Sequence, residues 1–401
     1  MPTQLGKHFW PNFSYVRGIR IDYLSPTLYV TDVLIFLFFA FSIFNFKFSI
    51  KSKFSISKLA LITAFLSVGI VFSKSPTSGF YGLLKLLEFI FLGFYTAANF
   101  KNLKKEIVLI LFLTGILFES LLSIAQFINH GSLQGIFYFF GERFFNSQTP
   151  GIANVSLNGA LVLRPYGTFS HPNVLAGYLA IAMAIAISNL KNNISKIRRI
   201  FYFTSIAIGT VAIFLTLSRI ATVLWIVLLA YSLIYAFMKQ KSKFSFFYFL
   251  FSIFALVLAI SMFVISSFSF RFTSIHFYDE SVVQRGALIK DSLAMIKKHP
   301  VFGVGLNNFL ANLPTSEKLQ PVHNIFFLVL AETGFLGLGL FIWFLIKTFK
   351  RIINHESVIK SMLIILSSIL VLGMFDHYFL TLQQGQLLFS FVLGLCWAKR
   401  K

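Results

Sequence analysis

The sequence predicts an all-α polytopic membrane protein, and two patterns carry that prediction. About eleven mostly apolar runs of roughly 17–22 residues fill the chain, each long enough to cross ~30 Å of hydrocarbon as a helix. The gaps between them are alternately rich and poor in Lys and Arg. Apolar residues make up 57% of the 401-residue chain and charged residues only 12%. A soluble domain would carry roughly 25% charge, so a water-soluble fold is excluded.

The spans are expected at 28–46, 59–73, 80–99, 107–127, 173–190, 200–217, 220–237, 246–267, 324–346, 361–375 and 379–398, the second and tenth being short. Every second gap is basic. Lys47, Lys51, Lys53 and Lys58 follow the first span, and Lys101, Lys104 and Lys105 the third. Lys191, Lys196, Arg198 and Arg199 follow the fifth, and Lys239, Lys241 and Lys243 the seventh. Lys347, Lys350, Arg351 and Lys360 follow the ninth, and Lys399, Arg400 and Lys401 end the chain. Positive charge is retained on the cytoplasmic side of a membrane. These gaps and the C-terminus are therefore expected in the cytoplasm, and one integral membrane domain is expected to fill residues 1–401. The formal charge of +22 would otherwise suggest nucleic acid. Topology accounts for most of it, and no nucleic-acid partner is expected. The single cysteine, Cys396, excludes a disulfide framework or thiolate cluster.

The complementary gaps are expected on the extracytoplasmic face. Two are long, 128–172 and 268–323, and polar chemistry is concentrated there. The first contains GSLQGIFYFFGERFF, an amphipathic stretch suited to the membrane interface. The second contains a helix expected over 282–298 and a GVG turn at 303–305. An odd number of spans with a cytoplasmic C-terminus puts Lys7, Arg17 and Arg20 outside. Residues 1–26 are a poor spanning helix. They are expected either to be partly embedded or to follow an upstream helix, which would make twelve.

Four arginines stand at outer span ends: Arg164, Arg219, Arg271 and Arg285. Snorkelling to headgroups is the bland account of Arg219. Convergence on a phosphorylated lipid is the functional one, because a guanidinium matches phosphoryl oxygens bidentately and stays charged in any cavity. In RPYGTFSHPN, residues 164–173, Asn173 is expected to cap span five after Pro172, while Arg164 and His171 have no comparable structural duty. His323 and Asn324 stand at the mouth of span nine. An imidazole is suited to accept a hydroxyl proton near neutral pH. Glu332, nine residues on, is out of reach of His323 along a straight helix and is expected to pair with a neighbouring helix. Gly334 and Gly337 read as a close-packing face. Lys85 and Glu88 are spaced to neutralise each other, and Glu119 is a further buried acid. Asp376 either starts a helix or orients an acceptor, with His377, Gln383 and Gln384 adding polar atoms nearby.

Four blocks together resemble the O-antigen ligase and Wzy-type polymerase superfamily: RPYGTFSHPNVLAGYL at 164–179, LTLSRIA at 215–221, RGALIKDSLAMIKKHPVFGVGLNNF at 285–309, and HNIFFLVLAETGFLG at 323–337. The last fits H-[NSQ]-x9-G-x-x-G in full. The resemblance implies a GT-C-like fold and an inverting glycosyltransferase of the cell envelope. Its donor would be an undecaprenyl-pyrophosphate-linked glycan, and its acceptor a hydroxyl on a glycan, lipid or protein. The active site would lie on the extracytoplasmic face of the inner membrane, with no cofactor or metal at the catalytic step. His323 would be the catalytic histidine. Arg164, Arg219 and Arg285, with His171, Asn324 and Asp376, would bind substrate. A repeat-unit polymerase would use the same donor, and a lipid-linked glycan transporter is the alternative from another class.

Overall fold

The computed structural model describes residues 3–44, 56–100, 104–157, 160–189, 195–238, 280–315, 319–354 and 359–398. The span expected at 246–267, Arg271, and most of the basic residues in the cytoplasmic gaps lie outside the described residues. In chain order the helices among the described residues are α1 (Val30–Phe44), α2 (Ile56–Val71), α3 (Pro76–Asn99), α4 (Lys105–Asn129), α5 (Pro172–Ser188) and α6 (Lys196–Leu215). They continue as α7 (Arg219–Met238), α8 (Glu280–Lys298), α9 (Ile325–Ile353), α10 (Ile359–Gly373), α11 (Tyr378–Thr381) and α12 (Gln383–Trp397). Among the described residues four stretches, Pro76–Asn99, Glu106–Asn129, Lys196–Leu215 and Ile325–Ile353, are long and apolar enough to cross a membrane. Shorter apolar helices accompany them at Val30–Ser42, Leu59–Val71, Pro172–Ser188, Arg219–Ile234 and Ser361–Gly373. The chain is a helical integral membrane protein, as its apolar runs predict.

The chain divides into two compact units. The first contains Gly6–Asn102 and Phe277–Lys401. Here α3 packs against α1, α2 and α12, and α9 against α8, α10 and α12. Helices α3 and α12 meet through glycine: a Cβ on Gly394 would stand 2.7 Å from the Gly93 carbonyl oxygen. Such small-residue contacts let membrane helices approach closely.

Residues 6–29 are neither a helix nor an open loop but a folded β element. Strand β1 (Gly6–His8) pairs antiparallel with β4 (Thr27–Tyr29), and between them β2 (Tyr15–Val16) pairs with β3 (Ile19–Arg20). Arg17 and Gly18 both have positive φ, 51° and 78°, as a two-residue hairpin turn requires. Val16, Ile21 and Leu24 are buried against Leu288, Phe309 and Leu313. Arg17 donates to the Leu313 carbonyl at 2.6 Å.

Helix α9 is broken at Gly334, whose backbone (φ 68°, ψ −172°) is not helical. The turn after α8 fills the break. Val304 N–H donates to Ala331 O and Gly305 N–H to Glu332 O, both at 2.9 Å, while Phe335 N–H donates to Pro300 O at 2.8 Å. Every group freed by an interruption at membrane depth must find a partner in protein, and this turn supplies them. A Cβ on Gly334 would lie 2.2 Å from Val301 O. Gly334 therefore admits a turn rather than a neighbouring helix, correcting the close-packing reading for that residue. The eleventh expected span is also interrupted: extended Leu382 (φ −117°, ψ 136°) separates α11 from α12. The two pieces fold together at Gly385, where a Cβ would meet Tyr378 O at 2.2 Å.

The second unit contains Met1–Leu5 and Leu103–His276. Helix α4 packs on α5 and α6, and α5 is buried along nearly its whole length. The segment 130–171 holds a 3-10 turn at Gly135–Phe140 and a hairpin of β5 (Asn154–Leu157) and β6 (Ala160–Leu163). Ile136, Phe139 and Phe144 are about two-thirds exposed, at 67%, 70% and 70%, an apolar edge in keeping with the interfacial stretch expected there.

Candidate functional site

In the first unit the polar side chains meet at the start of α9. Asn324 is the helix N-cap, its Oδ1 accepting from Phe326 N–H (2.8 Å) and Phe327 N–H (3.0 Å). Its Nδ2 donates to Met374 O at 3.0 Å, tying the entry of α9 to the exit of α10. A cap satisfies amides that have no partner inside the helix, so Asn324 has a structural duty here. That tie sets His323 beside the residues following α10. His323 Nδ1 lies 3.3 Å from Asp376 Oδ1. Asp376 Oδ1 also accepts from His377 N–H at 2.8 Å, and His377 Nε2 stands 4.0 Å away.

His377, read from the sequence only as a polar residue near Asp376, joins this pair. Its ring is buried, 5.0 Å between centroids from that of His323 and edge-on to Tyr23. Its Nδ1 is 2.6 Å from Thr381 Oγ1, which donates in turn to His377 O. Burial pushes the imidazole down to about 3; Asp376 opposes this, and the neighbouring His323 and Arg285 add to it. His377 is therefore neutral near pH 7. The same influence brings Arg285, half-buried on α8, into the electrostatic surroundings of the cluster. The i,i+4 spacing of His377 and Thr381 was the available signal, since such residues share a helix face. The donor atoms of His323, Asp376 and His377 all lie within 4.8 Å of one another, close enough to converge on one cation. His323 and Asp376 stand far apart in sequence, so no spacing motif announces that set.

Beside this cluster is a cavity of about 1140 Å³, mostly apolar, with walls from α3, α9 and α12. Tyr23 and Thr381, both in contact with His377, line it, and Phe94 and Trp397 are among its apolar surfaces. Its polar features are few. Lys85 pairs with Asp32 at 2.9 Å and with Glu88 at 2.8 Å, so the expected Lys85–Glu88 pair exists with a third member. Gln383 donates to Asp32 and Thr31. Glu332 borders the cavity too, but its partners are backbone amides: Asn307 N–H at 3.0 Å and Phe309 N–H at 3.2 Å. The neighbouring helix expected to partner Glu332 is replaced by the turn that fills the break in α9.

In the second unit, α4 holds the 166–168 segment in place. Glu119 accepts from Thr168 N–H (2.9 Å) and Thr168 Oγ1 (2.6 Å). Gln126 Oε1 accepts from the Tyr166 and Gly167 amides at 3.0 and 2.7 Å. Gly167 (φ 58°) is required at this approach, since a Cβ there would stand 2.5 Å from Glu119 Oε2. The chain then enters α5 with His171 as N-cap: its Nδ1 accepts from Asn173 N–H at 3.1 Å, and Pro172 follows at the first helical position. The cap is thus His171, not Asn173. Asn173 Oδ1 instead accepts from Arg164 Nη2 at 2.7 Å, while Arg164 Nε donates to Thr216 O at 2.7 Å. Arg164, 7% exposed, links the ends of α5 and α6, a structural duty the sequence did not disclose. Arg219, half-buried, opens α7 after a tight turn in which Leu217 has φ 53°. Arg164 therefore reaches the turn from which Arg219 emerges.

Residues 204–342 match the family model described as O-Antigen ligase. The match takes in Arg219, Arg285, His323 and Gly334 and stops short of Arg164 and Asp376. No curated protein matches the chain.

Proposed function

We propose, from the match of residues 204–342 to the family model described as O-Antigen ligase, a ligase-type membrane glycosyltransferase. Its donor is an undecaprenyl-pyrophosphate-linked glycan, and its acceptor a hydroxyl on a glycan, lipid or protein. It works at the extracytoplasmic face of the inner membrane, with the C-terminus in the cytoplasm. The observation that carries this reading is the His323–Asp376 pair, 3.3 Å apart, next to a mostly apolar cavity of about 1140 Å³. A proton acceptor adjoining a space suited to a lipid chain is what a lipid-linked substrate requires.

In this mechanism Asp376 accepts a hydrogen bond from His323 Nδ1–H and keeps the proton there, leaving the Nε2 lone pair as general base. Nε2 takes the proton of the acceptor hydroxyl as its oxygen bonds to the anomeric carbon. The bond from that carbon to the pyrophosphate oxygen breaks on the opposite face, inverting the centre, and the electron pair leaves on pyrophosphate. Arg285, in the same unit as His323, is assigned to binding that anion, since a fixed guanidinium donor stabilises developing charge; for Arg164 and Arg219 a donor-binding role rests on the sequence pattern. Asn324 and His171 act on substrate only through the helix starts they cap.

The test is reconstitution of the purified full chain in liposomes with undecaprenyl-pyrophosphate oligosaccharide and candidate acceptors, followed by mass analysis. One glycan transferred per acceptor is expected. A ladder of repeat units growing without a separate acceptor would establish a polymerase instead. Movement of intact donor across the bilayer with no new glycosidic bond would establish a transporter.

A further inference from the structure

The His323–Asp376–His377 cluster is a ligand set as well as a base with its orienting group. We propose that it binds a divalent transition-metal ion of the zinc type, and that the bound ion inhibits the protein. Binding follows from the geometry alone; inhibition rests on the transferase reading above.

The three side chains come from two segments, the entry of α9 and the connection between α10 and α11. That connection is held to the entry of α9 by the Asn324 bond to Met374 O. His323 Nδ1 and Asp376 Oδ1 are 3.3 Å apart, about the ligand–ligand edge of a tetrahedron whose zinc bonds are ~2.0–2.1 Å. His377 Nε2, at 4.0 Å from the same oxygen, needs to close by about 0.7 Å, and the widest pair of donor atoms, within 4.8 Å, by up to about 1.5 Å to reach that edge. Thr381 Oγ1 donates its one hydrogen to His377 O and so accepts from His377 Nδ1–H. The proton of the neutral ring is thereby placed on Nδ1, leaving Nε2 as an acceptor opposite a second acceptor. A cation between them resolves that opposition.

The donor set selects the ion. Two imidazole nitrogens and one carboxylate oxygen suit zinc and its neighbours, whereas magnesium and calcium favour all-oxygen surroundings. His323 and Asp376 retain side-chain exposures of 16% and 12%, which gives an ion access and leaves a fourth position open.

Inhibition follows from the tautomer. A metal on His323 Nδ1 requires that nitrogen unprotonated, so the ring proton moves to Nε2. The nitrogen assigned to accept the hydroxyl proton then becomes a donor. Proton count is unchanged while the base is lost.

The experiment uses the full chain in detergent, stripped with EDTA and titrated with zinc chloride against a chromophoric chelator. One tight site is expected. His377→Gln and Asp376→Asn should each weaken it at least tenfold, and magnesium should not compete. Diethyl pyrocarbonate labelling of the unmodified chain, read by mass spectrometry, avoids any folding defect in the variants. Zinc should protect His323 and leave the exposed His130 and His299 reactive. In the transfer assay, zinc should suppress turnover at least tenfold, EDTA should restore it, and the inhibitory concentration should rise in His377→Gln. Equal zinc affinity in parent and both variants, or no protection of His323, overturns the site. Binding with unaltered or stimulated turnover overturns the inhibition. Zinc binding at the triad in a preparation that transfers no glycan would leave the site standing and count against the transferase reading.

Discussion

Glu332 Oε2 accepts a hydrogen bond from Asn307 N–H at 3.0 Å, joining a carboxylate on the broken helix α9 to the turn that fills its break. The other oxygen accepts from Phe309 N–H, so one acid holds both ends of the 307–309 segment. Removing it strands two amides. Each unsatisfied buried polar group costs about 1–3 kcal/mol. Glu332→Ala should lower the melting temperature of the detergent-solubilised protein markedly, and Glu332→Gln, which keeps one carbonyl acceptor, should lower it less. Tryptophan-fluorescence melting curves would decide. Both variants melting with the parent would show that the turn is held by other contacts.

The three glycines following Glu332 should separate cleanly. Gly334 has φ 68°, and a Cβ there meets backbone at 2.2 Å, an obstacle no side-chain rotation relieves. At Gly337 the obstacles are Thr333 Oγ1 at 1.9 Å and Thr333 Cβ at 2.3 Å, side-chain atoms met without a positive φ, and at Gly339 nothing lies within 4 Å. Gly334→Ala should abolish stable accumulation or cost several kcal/mol, since this essentially glycine-only backbone region (φ 68°, ψ −172°) alone costs of order 1–3 kcal/mol. Gly337→Ala should be milder, and Gly339→Ala neutral or stabilising by about 0.5–1 kcal/mol. Another order of melting temperatures would refute the helix-break account.

Within the proposed reaction, His323→Ala should cut turnover by ~10²–10⁴-fold, the usual range for a positioned base, with donor binding largely retained. Asp376→Asn tests the tautomer. Its amide can donate to Nδ1 and so favour the proton on Nε2, the wrong nitrogen for a base, and a loss approaching that of His323→Ala is expected. Single-turnover rates with saturating donor separate binding from chemistry. If His323→Ala turns over like the parent, His323 is a helix-entry residue only.

How much of this was legible beforehand depends on how local the determinant is. Span positions such as 80–99 and 107–127 lie inside α3 and α4 because length and apolar content alone decide a membrane helix. The interruptions at Gly334 and Leu382 were not legible. Gly-x-x-Gly has the same spelling whether it packs a helix or admits a turn, and Leu382, set between Thr381 and Gln383, is itself a residue at home in a helix. The exchange of duties between His171 and Asn173 depends on Arg164 arriving from the preceding loop, which no local rule supplies. Residues 6–29 mix polar and apolar positions in strands of two or three residues, too short for an alternating pattern to register. His323 and Asp376 were each visible as candidates. Their pairing, and the addition of His377, required the fold.

Arg164 and Arg219 provide the last contrast. Arg164 spends Nε on Thr216 O and Nη2 on Asn173 Oδ1, two directions at once that a lysine ammonium cannot reproduce with the same planar fork. Arg164→Lys and Arg164→Ala should therefore both lower the melting temperature, by similar amounts, as well as weakening donor use. Arg219, at the first position of α7, is assigned by the sequence pattern to donor binding rather than to the framework. Arg219→Ala should leave melting near that of the parent while reducing donor affinity, and Arg219→Lys should recover affinity only in part, keeping charge without bidentate geometry. Melting curves paired with donor-binding isotherms for the four variants give the comparison. If Arg219→Ala loses stability as Arg164→Ala does and retains donor affinity, both arginines are framework residues, and the anion-binding role falls to Arg285.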